Sequence, residues 1–376
     1  MNLNMRGGIM ENTKLRKGTG LLFIMALLFI SSLLYLRYWD QDTLRVGIFY
    51  GSNWEVPGTV HYDILDQTIK KFESKYPNVK VEYERGILSD DYSEWLSEQI
   101  LKGTEPDVYL VLDDDFNTLA SLGALKNLDM LVGGDREFDS SVFYSSVYKA
   151  GQYGDSQYAL PMECNPTLMF VNKTLLQKEG IKVPDNDWTW DDFYDICKQV
   201  VKGSNGEGEI DQFGCYDYTW LQAVYSNGVT PFNKDGTASN FLDEKFSQSL
   251  EFIKRLEATN RNYQVTSNDF DLGKVAFRPF TFSDYRTYMP YPWRIKKYSG
   301  FEWTCIRMPA GPSGDNCSEM SALMAGMSSR TGKKQLAWNF MKLLTTDTDI
   351  QSLIYKDTSA ASVLKSVNTS QDTMDL

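Results

Sequence analysis

The chain of 376 residues has one histidine, His61. A single imidazole excludes every site that needs two, a HExxH zinc site included. Positive charge is also scarce: 38 Lys and Arg stand against 50 Asp and Glu, for a net charge of −12. A nucleic-acid binder neutralises phosphates with basic residues, so this balance argues against one. The five cysteines, Cys164, Cys197, Cys215, Cys305 and Cys317, form no CxxC pair. Their spacings fit neither a zinc ribbon nor an iron–sulfur motif. Outside the membrane they allow one or two disulfides with a thiol left over; otherwise they are scattered small buried residues. GxSxG, P-loop and GxGxxG motifs are missing, which removes the usual markers of a catalytic triad, a nucleotide and a dinucleotide. There are no repeats, coiled-coil heptads or low-complexity tracts. No metal and no cofactor is expected.

Aromatic side chains, by contrast, are plentiful, with 9 Trp, 22 Tyr and 20 Phe. The hydrophobic content of 42% is enough for real cores and excludes global disorder. The length suggests about two domains. Residues 20–36, GLLFIMALLFISSLLYL, carry no charge and follow Lys14, Arg16 and Lys17. A basic cluster before an apolar run is the shape of an export signal. The run lies at the short limit of a membrane span. Arg37, Tyr38 and Trp39 stand where a clean A-x-A cleavage site is wanted, and no lipobox cysteine is near. Residues 1–36 are therefore expected to be an uncleaved signal anchor, with a cleaved signal as the alternative. The basic cluster stays inside and the rest of the chain goes outside. That segment carries a net +3, so the remainder is more acidic still, at −15.

Residues 44–49 (LRVGIF) read as a strand. Ile64, Leu65, Thr68, Ile69 and Phe72 form a helical stripe that Pro77 stops. VKVEY (79–83) alternates as a second strand. Residues 92–102 form a helix, with Asp90 or Asp91 available as its cap and Gly103 at its end. DVYLVL (107–112) is a near-continuous apolar strand, as in a covered parallel sheet. The order β-α-β-α-β predicts a doubly wound α/β unit. Next, YALPMECNPTLMFVNK (158–173) is extended. Residues 174–180 form a short helix, and Thr189 with Asp192 forms a capping box for a helix to about Val201. A long helix is expected at 242–259, strands at 273–277, 301–308 and 321–328, and a helix at 333–344.

Asp113, Asp114 and Asp115 stand at the carboxyl end of DVYLVL, where ligands bind in open α/β sheets. Solvation or helix capping is the competing reading. Together with Glu163 they are the candidates for a glycosidase acid and base, which keeps a glycoside hydrolase as a remote alternative. Trp54, Trp220, Phe280, Phe282, Tyr285 and Trp303 lie near loop or strand ends. A sugar presents an apolar C–H face and a rim of hydroxyls. An aromatic plane covers the face, and Asp, Glu or Arg satisfies the rim. Core packing is the competing reading for each ring. Trp190, the first residue inside a capped helix, and Trp95, on a helix stripe, are assigned to structure. His61 is not favoured as a catalytic base.

Several segments in order carry a resemblance: KKFESKYPNVKVEYE, DYSEWLSEQILKGTEPDVYLVLDDDFNTLASLGALKNLD, LPMECNPTLMFVNKTLLQKEGI, TWDDF, FDLGKVAFRPF, MPAGPSG and AWNFMKLLTTDTDIQSLI. Over roughly residues 44–370 the chain resembles the family 1 extracellular solute-binding proteins of bacterial ABC importers, the maltodextrin-binding-like group. The resemblance implies a periplasmic-binding-protein-like type II fold, two α/β lobes joined by a hinge with the ligand cleft between them. It implies a first lobe of residues 42–153 with 276–312. The second lobe takes 158–270 with 325–376, incomplete at its carboxyl end because relatives usually continue. The crossings are expected near 159–172, 270–277 and 316–328. By position it points to Trp54, Asp114, Asp115, Glu163, Asn165, Phe280 and Phe282 as ligand contacts, to which the aromatic reading adds Trp220, Tyr285 and Trp303. The implied function is capture of a carbohydrate, an oligosaccharide, for ABC permease subunits, with no bond made or broken. The implied place is the extracellular face of the membrane, by the amino-terminal segment, or secretion. A membrane-anchored solute sensor or adhesion protein on the same fold is the alternative, motivated by the missing lipobox.

Overall fold

The computed structural model describes residues 42–54, 63–203, 210–233, 237–288 and 300–371, together with Met25, Phe29 and Ser31. His61 and the apolar run 20–36, apart from those three positions, lie outside the described residues. Among the described residues no helix is long and apolar enough to cross a membrane.

The chain opens with β1 (Asp42–Gly47), α1 (Asp63–Lys75), β2 (Val79–Tyr83), α2 (Ser89–Lys102), β3 (Val108–Val111) and α3 (Asp113–Ser121). β1 pairs in parallel with both β2 and β3, the expected β-α-β-α-β unit. α1 buries Ile64, Leu65, Thr68 and Phe72, the predicted stripe. α2 ends where Gly103 turns left-handed at φ 72° and its N–H bonds the Ile100 carbonyl, a conformation that costs glycine least. Its amino-terminal cap is Leu88, with no side-chain bond. Asp90 and Asp91 instead sit in the first turn, where their charge opposes the helix dipole. The Asp113–Asp115 run is likewise no loop. It starts α3 directly after β3, for the same electrostatic reason.

Then come α4 (Asp129–Gly134), α5 (Ser145–Ala150), the small hairpin β4 (Gln152–Tyr153) and β5 (Ser156–Gln157), and the long strand β6 (Ala159–Asn172). The next part holds α6 (Lys173–Lys178), α7 (Trp190–Val200), β7 (Phe213–Cys215), α8 (Trp220–Ser226), α9 (Glu244–Ala258), α10 (Ser267–Asp271), β8 (Val275–Thr281), α11 (Phe282–Tyr288) and β9 (Trp303–Ile306). The last part holds β10 (Met320–Met327), α12 (Lys334–Thr346), α13 (Thr348–Asp357), β11 (Ala361–Ser362) and α14 (Lys365–Asn368). The capping box on α7 is present, the Thr189 and Asp192 side chains each accepting the other's backbone N–H.

β6 ties the molecule together. Its first half, residues 159–166, pairs with β10; its second half pairs with β8 and β9. The path of the sheet is β2-β1-β3-β10-β6-β8-β7. Pro161 has no N–H to give the ladder, and the register slips opposite it, between Leu323 and Met324.

Two cores flank this strand. One joins Leu44, Phe72 and Tyr109 to Met324, Trp338, Phe340 and Ile354. The other joins Trp188, Phe193, Phe252 and Phe277. This corrects the expected lobe boundaries. Residues 276–312 do not join the first lobe, because β8 lies between β6 and β7 and Phe277 packs on Phe193 at 5.4 Å. The late helices do not join the second lobe. Phe340 of α12 meets Phe72 of α1 edge-on at 5.2 Å, and Lys71 of α1 pairs with Asp347 at 2.7 Å. The expected crossing at 270–277 is not one, since Phe270 and Phe277 both pack within the second lobe. The crossing at β6 stands. The return to the first lobe is complete by β10, which pairs with β3. β11 comes back to β6 beside Glu163 and Cys164. All five cysteines are free thiols, with Cys164 and Cys197 buried.

Candidate functional site

The junction carries the most unusual side chain, Glu163. It sits mid-strand in β6, with Leu323 of β10 on one side and Ser362 of β11 on the other. It is buried, and its Oε2 accepts the Trp54 Nε1–H at 2.9 Å. Burial raises its carboxyl to about 7, against the pull of that hydrogen bond. Trp54 arrives from the loop after β1, so two residues 109 apart in sequence form one buried pair. They line a cavity of about 90 Å³ with Phe49, Met162, Leu323 and Thr358. Ligand pockets run from about 300 Å³ upward. This cavity has room for ordered water but not for a sugar ring with the walls as they stand.

Asp114 is exposed on the first turn of α3, and Asp115 accepts the Ser93 hydroxyl proton at 2.5 Å. The more telling member of the run is Asp113. Like Asp114 it keeps an exposed surface, but partial loss of water raises its carboxyl, the Asp114 charge adds to that, and hydrogen bonds from Ala322 and Ser321 of β10 oppose it. Its charge acts on Tyr225 of α8, in the second lobe. The Tyr225 phenol is raised first by burial and then by the charges of Glu319 and Asp113. Glu319 itself lies just before β10, with its carbonyl accepting the Thr167 N–H of β6. The charges of Asp113 and Glu319 both act on Tyr225, and Cys317 donates to the Tyr225 carbonyl at 3.2 Å, so α8 of the second lobe lies beside the chain that enters β10.

The remaining expected contacts divide. Asn165 is buried, and both ends of its amide engage Ser283: Nδ2 donates to the hydroxyl and Oδ1 accepts the backbone N–H, each at 2.9 Å. It clamps α11 onto β6, which leaves it a structural role. Phe280 is buried in the second lobe against Phe170 at 4.7 Å and Phe270 at 5.5 Å. Trp303 stacks on Phe170 at 4.5 Å, and Tyr285 meets Trp303 edge-on at 5.2 Å. Three expected platforms are therefore one packed aromatic cluster. Phe282 lies at the junction, stacked on Tyr285 at 5.7 Å and edge-on to Tyr355. Trp220 stands apart from these, 42% exposed at the start of α8. Trp190 is structural as expected, stacked on Phe252 at 4.2 Å.

Sequence reasoning missed Arg278 and Asp217. Arg278 of β8 lies 3.9 Å over the Phe280 ring and 4.8 Å from that of Tyr216. Burial raises the Asp217 carboxyl, the Arg278 charge lowers it, and the Asp284 charge raises it. The signal was available: Asp217 follows β7, and the carboxyl ends of strands are where α/β folds present ligand contacts. β7 has only three residues, too few for a visible period.

With two lobes and a junction strand in place, the sequence is decisive. Residues 58–350 match the family model of the bacterial extracellular solute-binding proteins. The chain belongs to that family. Within it, a Brucella abortus relative described as a binding protein is 23% identical over 296 residues, covering 74% of this chain and 68% of the relative. A multiple sugar-binding protein of Streptococcus mutans is 27% identical over 138 residues, covering 36% of this chain and 30% of the relative. Among solved structures, the sugar-binding protein MalE of Xanthomonas citri superposes with a TM-score of 0.71 at 15% identity, covering 89% of this chain and 82% of that one. Lmo0181 of Listeria monocytogenes, solved with cycloalternan, gives 0.62 at 21% identity, covering 90% and 84%. These likenesses show the family's type II fold.

Proposed function

We propose that this solute-binding protein is the substrate-binding component of an ABC importer and that its ligand is an oligosaccharide. The observation that carries the reading is the pair of lobes joined at β6, with the polar chain entering β10 set between them: Cys317 donates to the Tyr225 carbonyl of α8 at 3.2 Å, and the Glu319 carbonyl accepts the Thr167 N–H of β6 at 3.0 Å. Carboxylates and a phenol accept and donate hydrogen bonds to neutral hydroxyls, and a site between lobes gains those bonds only on closure. Structural neighbours support it, having been solved with cycloalternan, mannotriose and maltotetraose. The ligand is held and released without chemistry, so scarcity of histidine is no handicap. The protein works outside the membrane and hands its ligand to permease subunits. Residues 1–36 serve as its anchor or its cleaved signal. Calorimetric titration of the exported protein with neutral mono- and oligosaccharides tests the reading. Saturable binding of an oligosaccharide is expected. Folded protein that binds none of them refutes it.

A further inference from the structure

The second lobe also holds a hollow away from the junction strand. It is a groove of about 750 Å³ beyond the edge strand β7, between the turn after that strand and the carboxyl end of α9. That volume lies within the range of ligand pockets.

Two exposed aromatic rings face it from different elements. Trp220 is 42% exposed and Tyr263 is 47% exposed. Each is steadied by a neighbour: Trp220 by Phe246 at 5.8 Å, Tyr263 by a stack on Phe213 at 4.5 Å. Large rings fixed on one side and open to water on the other are binding platforms whose ordering cost is already met by the fold. Between them lies Asn260, whose Oδ1 is buried and accepts no hydrogen bond. A buried acceptor without a donor is costly, and a ligand hydroxyl would supply the donor. The backbone around the groove is unusual as well. Asp217, Arg261 and Asn262 are the non-glycine residues with positive φ among those described, at 64°, 48° and 69°. Asp217 and Asn262 line the groove, and Arg261 lies between Asn260 and Asn262. Such conformations persist only where the surroundings hold them.

The charges around the groove are mixed, with Asp217, Glu257 and Lys254 all lining it. A field of neither sign disfavours an anionic ligand such as a nucleotide. Aromatic faces with a neutral amide and scattered polar groups fit a neutral sugar.

Contacts link the groove to the cleft side of the lobe. Tyr216 and Asp217 belong to its lining, and Arg278 covers the Tyr216 ring while its charge acts on Asp217. Asp284, which also acts on Asp217, lies on α11, which Asn165 clamps to the junction strand. Tyr216 bonds the carbonyl of Phe277, four residues before the end of β8 at Thr281. At about 3.3 Å per residue that is roughly 13 Å along the strand, more than one pyranose ring spans.

We propose that this groove holds the far rings of an oligosaccharide whose near end lies in the interlobe cleft, with Trp220 and Tyr263 as platforms and Asn260 as a hydroxyl acceptor. The proposal rests on the saccharide reading above and makes it specific for chain length. The test titrates the full chain with linear α-1,4-glucans and β-1,4-mannans, from monomer to hexamer, by calorimetry. Trp220→Ala removes one platform. Ala258→Trp, on the exposed face of α9 that lines the groove, fills it without touching the core. Thermal melting confirms that both variants fold. Wild-type affinity is expected to rise with chain length, and each variant to lose roughly tenfold or more for the longest ligand with the shortest bound ligand unchanged. Equal loss for short and long ligands, or no loss, overturns the groove while leaving the cleft reading intact. No saccharide binding by wild type overturns both.

Discussion

Replacing Glu163 by Gln isolates the electrostatic cost of the junction. The Glu163 carboxyl titrates at about 7 in the folded protein against an ordinary 4.5, because burial strips its water and the Trp54 bond only partly compensates. Below pH 4.5 both folded and unfolded chains hold the proton. Between pH 4.5 and 7 only the folded chain does. Above pH 7 neither does, and folding must then bury the charge. A raised carboxyl therefore costs stability as pH rises through this window. A shift of that size corresponds to about 3 kcal/mol at full ionisation. Gln keeps the shape and a carbonyl for the Trp54 N–H but carries no charge. The stability of Glu163→Gln relative to wild type should thus grow by about 3 kcal/mol between pH 4.5 and pH 8. In a unit of 150–250 residues that is about 6–12 °C in melting temperature. Calorimetric melts of both proteins at several pH values, without ligand, measure it. Parallel stability curves across the window would refute the claim that the carboxylate is buried uncompensated.

Three further outcomes follow from the same contacts. Trp54→Phe removes the donor to Glu163 found among the described residues and should destabilise by about 1–3 kcal/mol, most strongly above pH 7, as read by urea unfolding. Asn165→Ala breaks both bonds to Ser283 and should cost about 2 kcal/mol while raising amide exchange in residues 282–288, as read by hydrogen-exchange mass spectrometry. Phe340→Ala opens a cavity where α12 meets Phe72 of α1 and should cost about 3–5 kcal/mol; raised exchange confined to 169–200 instead of 63–75 would contradict the lobe assignment.

Elements whose partners are near in sequence, or whose pattern leaves one choice, were legible. The parallel β1-β2-β3 unit showed in its alternating and continuous apolar runs, and the α7 cap showed in Thr189 and Asp192. β6 was visible as an extended apolar segment because both its faces are buried. The lobe to which α12 belongs was not legible. Its buried Ala337, Phe340 and Leu344 demand a surface, but the stripe does not say which one. Contact with α1, over 250 residues earlier, decides it. The site divided in the same way. Trp54 and Glu163 were both singled out, yet nothing local reveals that they bond each other. Phe280 looked like a platform beside a loop. Its position two residues after Arg278 on one strand face places both in the same packed cluster. Asn165 was singled out as a ligand contact, yet nothing local reveals that Ser283, 118 residues later, engages both ends of its amide.

The central claim is that a saccharide bridges the two lobes beside the junction strand, where Tyr225 and Glu319 lie. A crystal structure of the protein saturated with the oligosaccharide that binds it tests this most directly. The account predicts ligand density hydrogen-bonded to side chains of both lobes, with the lobes closed around it. Density confined to an outer face, with the cleft open and unoccupied, would contradict it.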